Sequence, residues 1–275
     1  MAEQKRVKIS WYGKHFGEEP PLVGNKNQGA GGIFFTGCNL RCVFCQNYQI
    51  SQENIFQKEC SVEELAYIML ELQAKNAVNV DLVSPTIWFK QIKEAIIIAK
   101  NNGLSIPIVW NSNAYEGEFL LKQMEGLVDM YLPDLKYGDD EIAFKYSGIR
   151  KYGRIAEKAI REMFRQVGVL KEKNGIAKKG LIVRHLVLPN NMTNSLRALE
   201  IIAGISKDIH LSLLNQYYPL YRAKDFPEIN QVVKKEEFKK LHNFAFELGL
   251  EKGWVQTEEN GEAFIPDFTK LKPFD

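Results

Sequence analysis

The sequence predicts an α/β fold with parallel strands, and three observations carry that prediction. Short runs rich in β-branched and aliphatic residues alternate with helical segments along the 275 residues, the order that builds strand–helix–strand units. Helix start and stop signals fall between the runs. The length buries a full core and is most simply one domain, with a core over about 28–220 and a C-terminal helical extension over about 221–275.

From the N-terminus onward, strands are expected at 32–36, 78–83, 106–110, 128–132, 180–188 and 209–214. Between the first two, Ser61 and Glu64 form a capping-box pattern, and Val62, Leu65, Ala66, Met69 and Leu72 recur on one helical face. A helix over about 88–102 turns Phe89, Ile92, Ile96 and Ala99 inward and stops at Gly103. Further helices are expected near 119–124, 154–166, 194–203 and 235–248, the last carrying Phe238, Leu241, Ala245 and Leu248 at helical spacing. The lysine-rich stretch from Lys171 to Gly180 reads as a solvated loop, with contact to a phosphate or an acidic partner as the alternative. No internal repeat or low-complexity linker is present.

Composition narrows the function classes. Lys and Arg total 36 against 34 for Asp and Glu, a formal charge of +2 that indicates neither nucleic acid nor an anionic membrane as an obligatory partner. No apolar run approaches the roughly 20 residues of a membrane span. The start, Met1-Ala-Glu-Gln-Lys-Arg, lacks the apolar region of a secretory signal, so the expected location is cytoplasmic and reducing.

The chemistry is concentrated in Gly37-Cys-Asn-Leu-Arg-Cys-Val-Phe-Cys-Gln-Asn47, where Cys38, Cys42 and Cys45 stand at C-x3-C-x2-C spacing. Three thiolates from one loop, with no fourth, leave one corner of a [4Fe–4S] cube open to a ligand from solution. Structural zinc needs four ligands, and no histidine follows Cys45 at finger spacing. Cys60, the remaining cysteine, precedes a helix and reads as a passive thiol.

This motif, with an aromatic (Phe44) before its third cysteine, resembles the radical S-adenosylmethionine superfamily. More narrowly, His15-Phe-Gly-Glu-Glu-Pro-Pro21, Gly31-Gly-Ile-Phe-Phe-Thr-Gly-Cys38 and Cys45-Gln-Asn-Tyr-Gln-Ile-Ser51 resemble proteins similar to the pyruvate formate-lyase activating enzyme. The resemblance spans roughly residues 11–220. It implies an open, partial (β/α)6 barrel with parallel strands, and a [4Fe–4S] cluster whose unique iron chelates S-adenosylmethionine. It further implies reductive cleavage of the sulfonium to a 5'-deoxyadenosyl radical that abstracts a substrate hydrogen. An electron donor such as a flavodoxin or ferredoxin would be required. The substrate is not legible; a glycyl-radical enzyme is one candidate, and a small molecule, peptide or other macromolecule the alternative. From a different class, a non-catalytic iron–sulfur or zinc module would need a fourth protein ligand.

The resemblance also places cosubstrate contacts at the strand ends. After the second strand, Asp81-Leu-Val-Ser-Pro-Thr86 stands where the superfamily usually has Gly-Gly-Glu; Ser84 and Thr86 keep hydroxyls there, and both also suit helix capping. The third strand brings Asn111, Ser112 and Asn113 to the mouth, and the fourth brings Asp134 and Lys136, the lysine near the methionine carboxylate. The activating-enzyme cation site would use Asp134 with a group at Asn111 or Ser112; Asn111 stands in place of an aspartate there, which weakens the case for a bound monovalent cation and leaves open whether the site exists. Of Arg184 and His185 only one can point inward, and the resemblance favours Arg184. Gln216, Tyr217 and Tyr48 are the candidates for contact with the adenosine. No auxiliary cluster is implied.

Overall fold

The structure is a computed structural model and describes residues 6–256 and 265–274. Its centre is a sheet in the order β10-β9-β8-β6-β5-β4-β2-β1-β3. The strands are β1 (Arg6–His15), β2 (Ala30–Phe35), β3 (Lys58–Ser61), β4 (Val80–Val83), β5 (Ile108–Ser112), β6 (Met130–Pro133), β7 (Lys171–Lys173), β8 (Ile176–Leu186), β9 (His210–Leu214) and β10 (Gly253–Gln256). The run from β2 to β10 is parallel, whereas β1 pairs antiparallel with β2 and β3. All six expected strands are present. Two expectations are corrected. In the C-terminal part, β10 adds a seventh parallel strand beyond β9, so the stretch past residue 220 is not purely helical. The lysine-rich stretch is a hairpin, β7 pairing with β8 across Asn174 and Gly175, both at positive φ. An Asn-Gly pair is the residue choice for such a turn, and exposed lysines suit an edge.

The helices are α1 (Pro20–Val23), α2 (Tyr48–Ser51), α3 (Val62–Ala74), α4 (Phe89–Asn101), α5 (Glu118–Met124), α6 (Asp140–Ser147), α7 (Tyr152–Val167), α8 (Met192–Ile205) and α9 (Lys235–Glu247). The capping box of α3 forms as read: Ser61 Oγ accepts from Glu64 N–H at 3.3 Å, and Glu64 Oε2 accepts from Ser61 N–H at 2.7 Å. Gly103, at φ +95°, follows α4 in the left-handed region, which suits a residue without Cβ.

Strand alternation separates two faces. Ile33, Phe35, Leu82, Trp110, Tyr131, Leu181 and Val183 join the large helix-side core. Val109, Met130, Leu132 and Ile182 face inward with Leu22, while Phe34 and Val83 form a second inner patch. In β1 the register shifts between Ile9 and Trp11, which turns Trp11 to the inner side after Val7 and Ile9 have faced the helices. Residues 18–22 close the N-terminal end of the strands: Glu19, Pro21 and Leu22 are buried, and Asn79 Nδ2 donates to the Leu22 carbonyl at 2.8 Å. Among the described residues, no helix is long and apolar enough to cross a membrane.

Candidate active site

The loop holding Cys38, Cys42 and Cys45 leaves the C-terminal end of β2, where ligand sites of parallel α/β sheets gather. It turns at Gly37, whose φ of +86° lies in the left-handed region that favours glycine. Its backbone is tied on two sides: Val43 N–H donates to Tyr146 O and Arg222 N–H to Val43 O, each at 2.9 Å. Phe44 is buried with ring centroids 6.3, 6.4 and 5.8 Å from Tyr137, Tyr146 and Tyr217. The aromatic between the second and third cysteines is therefore the anchor of the loop.

Each sulfur has a polar partner. Cys38 Sγ accepts from Leu40 N–H and Asn113 Nδ2, both at 3.4 Å. Cys42 Sγ accepts from Ser147 Oγ at 3.0 Å, and Cys45 Sγ lies 3.3 Å from Ser51 Oγ. Burial pushes the Cys38 thiol up and Cys45 up to about 12, neighbouring thiols add to this, and Lys136 opposes it. As free thiols they keep their protons; a cation between them is what would favour the thiolates. Among the described residues no three Cys, His, Asp or Glu side chains are already drawn to metal-ligand spacing. The donor set nevertheless fits three corners of an iron–sulfur cube: three free cysteines on one short loop, each with a hydrogen-bond partner suited to a charged sulfur.

Asp134 and Lys136, just past the end of β6, come next, the lysine close enough to the cysteines to act on them, and Asp134 forms a backbone bridge to Arg184 of β8. Lys136 Nζ donates to Asp134 Oδ2 at 2.8 Å. Burial works against the lysine's charge, but the Asp134 carboxylate leads the opposing effects, and the pKa is held above the usual lysine value. Arg184 points inward, as expected, and pairs with Glu18 and with Glu19, the latter at 3.1 Å. His185 points the other way, between Leu135 O at 2.7 Å and Ser195 Oγ at 2.9 Å. Deeper still, Asn111 Nδ2 contacts Asp81 Oδ2 at 3.4 Å. Burial raises the Glu18 carboxyl, but Arg184 and His15 overcome that and hold it at about 2. Asp81 goes the other way: burial and the negative charge of Glu18 push it well above the ordinary carboxylate range. One guanidinium thus serves a stack of three buried acids.

Several expected contacts face elsewhere. Thr86 and Ser112 do not open on the mouth; their hydroxyls donate to the two oxygens of Glu116, at 2.9 and 2.7 Å, on the helix side of β5. Trp110 Nε1 completes this buried knot at 2.9 Å from Glu116. Strand alternation explains it, since Ser112 shares the outer face with Trp110, whereas Asn111 and Asn113 turn inward. Ser84 holds φ +58° at the tip of β4, with its N–H on Asn111 O at 3.0 Å. Tyr217 is a core residue, its hydroxyl donating to Ile229 O at 2.7 Å and its ring packed on Phe44, so it does not offer a face to a nucleoside. Tyr48 stacks on Tyr221 at 4.7 Å beside the loop. The Gln216 carbonyl accepts from Gln46 Nε2 at 3.4 Å, joining the end of β9 to the cysteine loop. Cys60 is fully buried in β3, and burial raises its thiol to about 11, which suits a passive role.

Glu18, Glu19, Asp81 and Glu116 were not among the expected site residues. A signal existed for two of these places. Asp81 interrupts an apolar strand run, and Glu18-Glu19 sit side by side in the 15–21 motif.

The chain belongs to the radical SAM superfamily, whose sequence model matches residues 33–195. Enzymes of this superfamily use a [4Fe–4S] cluster and S-adenosylmethionine, and this chain is a radical SAM enzyme by membership. It is 34% identical over 264 residues to the uncharacterized protein MJ0674 of Methanocaldococcus jannaschii, an alignment that spans 90% of this chain and 70% of that one. Among solved structures it is similar to Streptococcus suis SuiB bound to S-adenosylmethionine, with a TM-score of 0.57 and 13% identity over 80% of this chain and 48% of SuiB. It is also similar to TYW1 with a lysine-pyruvate adduct bound, with a TM-score of 0.53 and 16% identity over 87% and 83% of the two chains. The chain thus spans about half of SuiB's length, and at these identities the structural likeness bears on fold alone.

Proposed function

We propose that the chain holds a [4Fe–4S] cluster on Cys38, Cys42 and Cys45 and abstracts a hydrogen atom from a substrate bound at the strand tips, a protein glycine being the preferred candidate. The carrying observation is the set of three thiols, each with its own hydrogen-bond partner, facing a lysine that stays charged. When bound, the cluster and S-adenosylmethionine supply a one-electron cleavage of a sulfonium bond and the hydrogen-abstracting carbon centre. Lys136 binds the methionine carboxylate, a charge-assisted contact that strengthens as water leaves, and Asp134 fixes the direction of its ammonium. With no acid in the Gly-Gly-Glu position, backbone carbonyls around Ser84 at the tip of β4 take the methionine amino group. Asn113 bridges the mouth to the loop through Cys38 and through Asn39 at 2.7 Å.

Support for a glycine substrate is the likeness of 15–21, 31–38 and 45–51 to activating-enzyme-like proteins. Anaerobic reconstitution should load about four irons and four sulfides per polypeptide, and dithionite with S-adenosylmethionine should release 5'-deoxyadenosine. Cys42→Ala should lose both cluster and product; turnover without Cys42 contradicts its role. Adding a glycyl-radical enzyme should give a glycine doublet by EPR, and its absence with every such partner shifts the reading to another substrate.

A further inference from the structure

Residues 265–274 return to the inner wall beside the cysteine loop. Phe268 is only 2% exposed and fills a slot formed by Phe34, Ile50 and Val83, its ring 5.6 Å from Phe34. Phe274 packs over Trp11, His15 and Phe34 at 5.0, 4.3 and 5.3 Å. Between these anchors Leu271 is 86% exposed. The backbone is held by side-chain amides. Gln49 Oε1 accepts from Phe268 N–H at 2.8 Å, and Gln49 Nε2 donates to Asp267 Oδ1 at 3.4 Å. Gln57 Nε2 donates to the Lys270 carbonyl at 3.4 Å.

These walls are also walls of the candidate active site. Gln49 lies four residues beyond Cys45, Ile50 O accepts from Gly37 N–H at 2.9 Å, and Val83 precedes Ser84 at the tip of β4. An apolar slot for a ring, edged by the part-buried Gln49 amide that meets a backbone N–H with its oxygen and a side-chain carboxylate with its nitrogen, has the chemistry of a polypeptide reader. A small apolar guest would leave the Gln49 amide without its present partners, whereas the exposed Gln57 would turn to water.

We propose that this slot is a binding site for an extended polypeptide presenting an aromatic side chain, filled in cis by residues 265–274. It rests on the proposed hydrogen abstraction and deepens it by naming the substrate class as a protein or peptide segment. A tethered tail competes at an effective concentration of about millimolar, so an incoming segment must match its contacts or bring others.

The test uses the full, cluster-reconstituted protein without S-adenosylmethionine and a fluorescein-labelled synthetic peptide spanning residues 265–274, read by anisotropy. Phe268→Ala should empty the slot and bind the peptide at least tenfold tighter than the parent protein. Adding Gln49→Ala, or replacing the peptide's own Phe268 equivalent by alanine, should abolish that gain. Equal binding by parent and Phe268→Ala proteins, or indifference to the peptide's phenylalanine, overturns the proposal. Should Phe268→Ala not fold, Asp267→Ala loosens the Gln49 clasp without leaving a cavity and should give a smaller gain of the same sign; no gain overturns the proposal equally. Because cosubstrate is absent, a protein that binds peptide yet yields no 5'-deoxyadenosine when later supplied with it upholds the slot and sinks the hydrogen abstraction. One that yields nucleoside but shows no slot-dependent binding sinks the slot alone.

Discussion

Ser147 contacts the Cys42 sulfur while its oxygen also lies 2.6 Å from the Tyr137 hydroxyl. Hydrogen bonds to cluster sulfurs are among the factors that set reduction potential. Ser147→Ala should therefore make the reconstituted cluster harder to reduce, a shift to more negative potential readable in an EPR-monitored redox titration. An unchanged midpoint would assign Ser147 to loop packing. His185 makes a prediction of another kind. Burial lowers its imidazole to about 4, so the folded protein refuses a proton that the unfolded polypeptide accepts below about 6.5. Stability from this group is intact above pH 6.5 and is lost as pH falls toward 4, by about 3 kcal/mol in all. His185→Gln should flatten that part of the acid slope in urea titrations at pH 7.5 and 5. The sequence showed that Arg184 and His185 face opposite ways; it could not show which tertiary partners would leave the imidazole neutral.

At the scale of elements, Gly180 opens the strongly apolar half of β8 at φ +130°, where a built Cβ lies 2.4 Å from Leu170 Cα and 2.6 Å from Val169 O. These are backbone atoms and cannot rotate away. Gly180→Ala should cost about 1–3 kcal/mol, seen as a lower urea midpoint with an unchanged slope. The inner parallel strands were legible because each is a short apolar run, and α3 was legible from its cap. β1 was missed because a strand with a register shift breaks the alternation that marks strands. The hairpin of β7 was hidden by lysines that say only that it is exposed, and β10 by a Gly-Trp-Val-Gln run with Gly253 and Val255 exposed, unlike the fully buried β4 and β6 of the same length. At the site, residue types were legible and orientation was not. Ser112 and Thr86 read as mouth residues until strand parity and Glu116 set them on the outer face.

Across the whole molecule, the barrel interior is organised around Arg184, which ties the 18–22 segment to β8. Replacing one partner of a buried charge group strands the others, at a cost of about 3–5 kcal/mol. Arg184→Met should therefore destabilise far more than the loss of one exposed ion pair would, measured by thermal and urea melts. A loss below about 1 kcal/mol would mean that the acids are neutral or hydrated. Asp81, pushed toward its protonated form, is the member placed to absorb excess negative charge.

The floor built from Glu19, Pro21 and Leu22 carries a consequence for access. With that end stoppered by buried side chains and by the Asn79 amide on the Leu22 carbonyl, the cysteine-loop rim is left as the doorway to the inner wall.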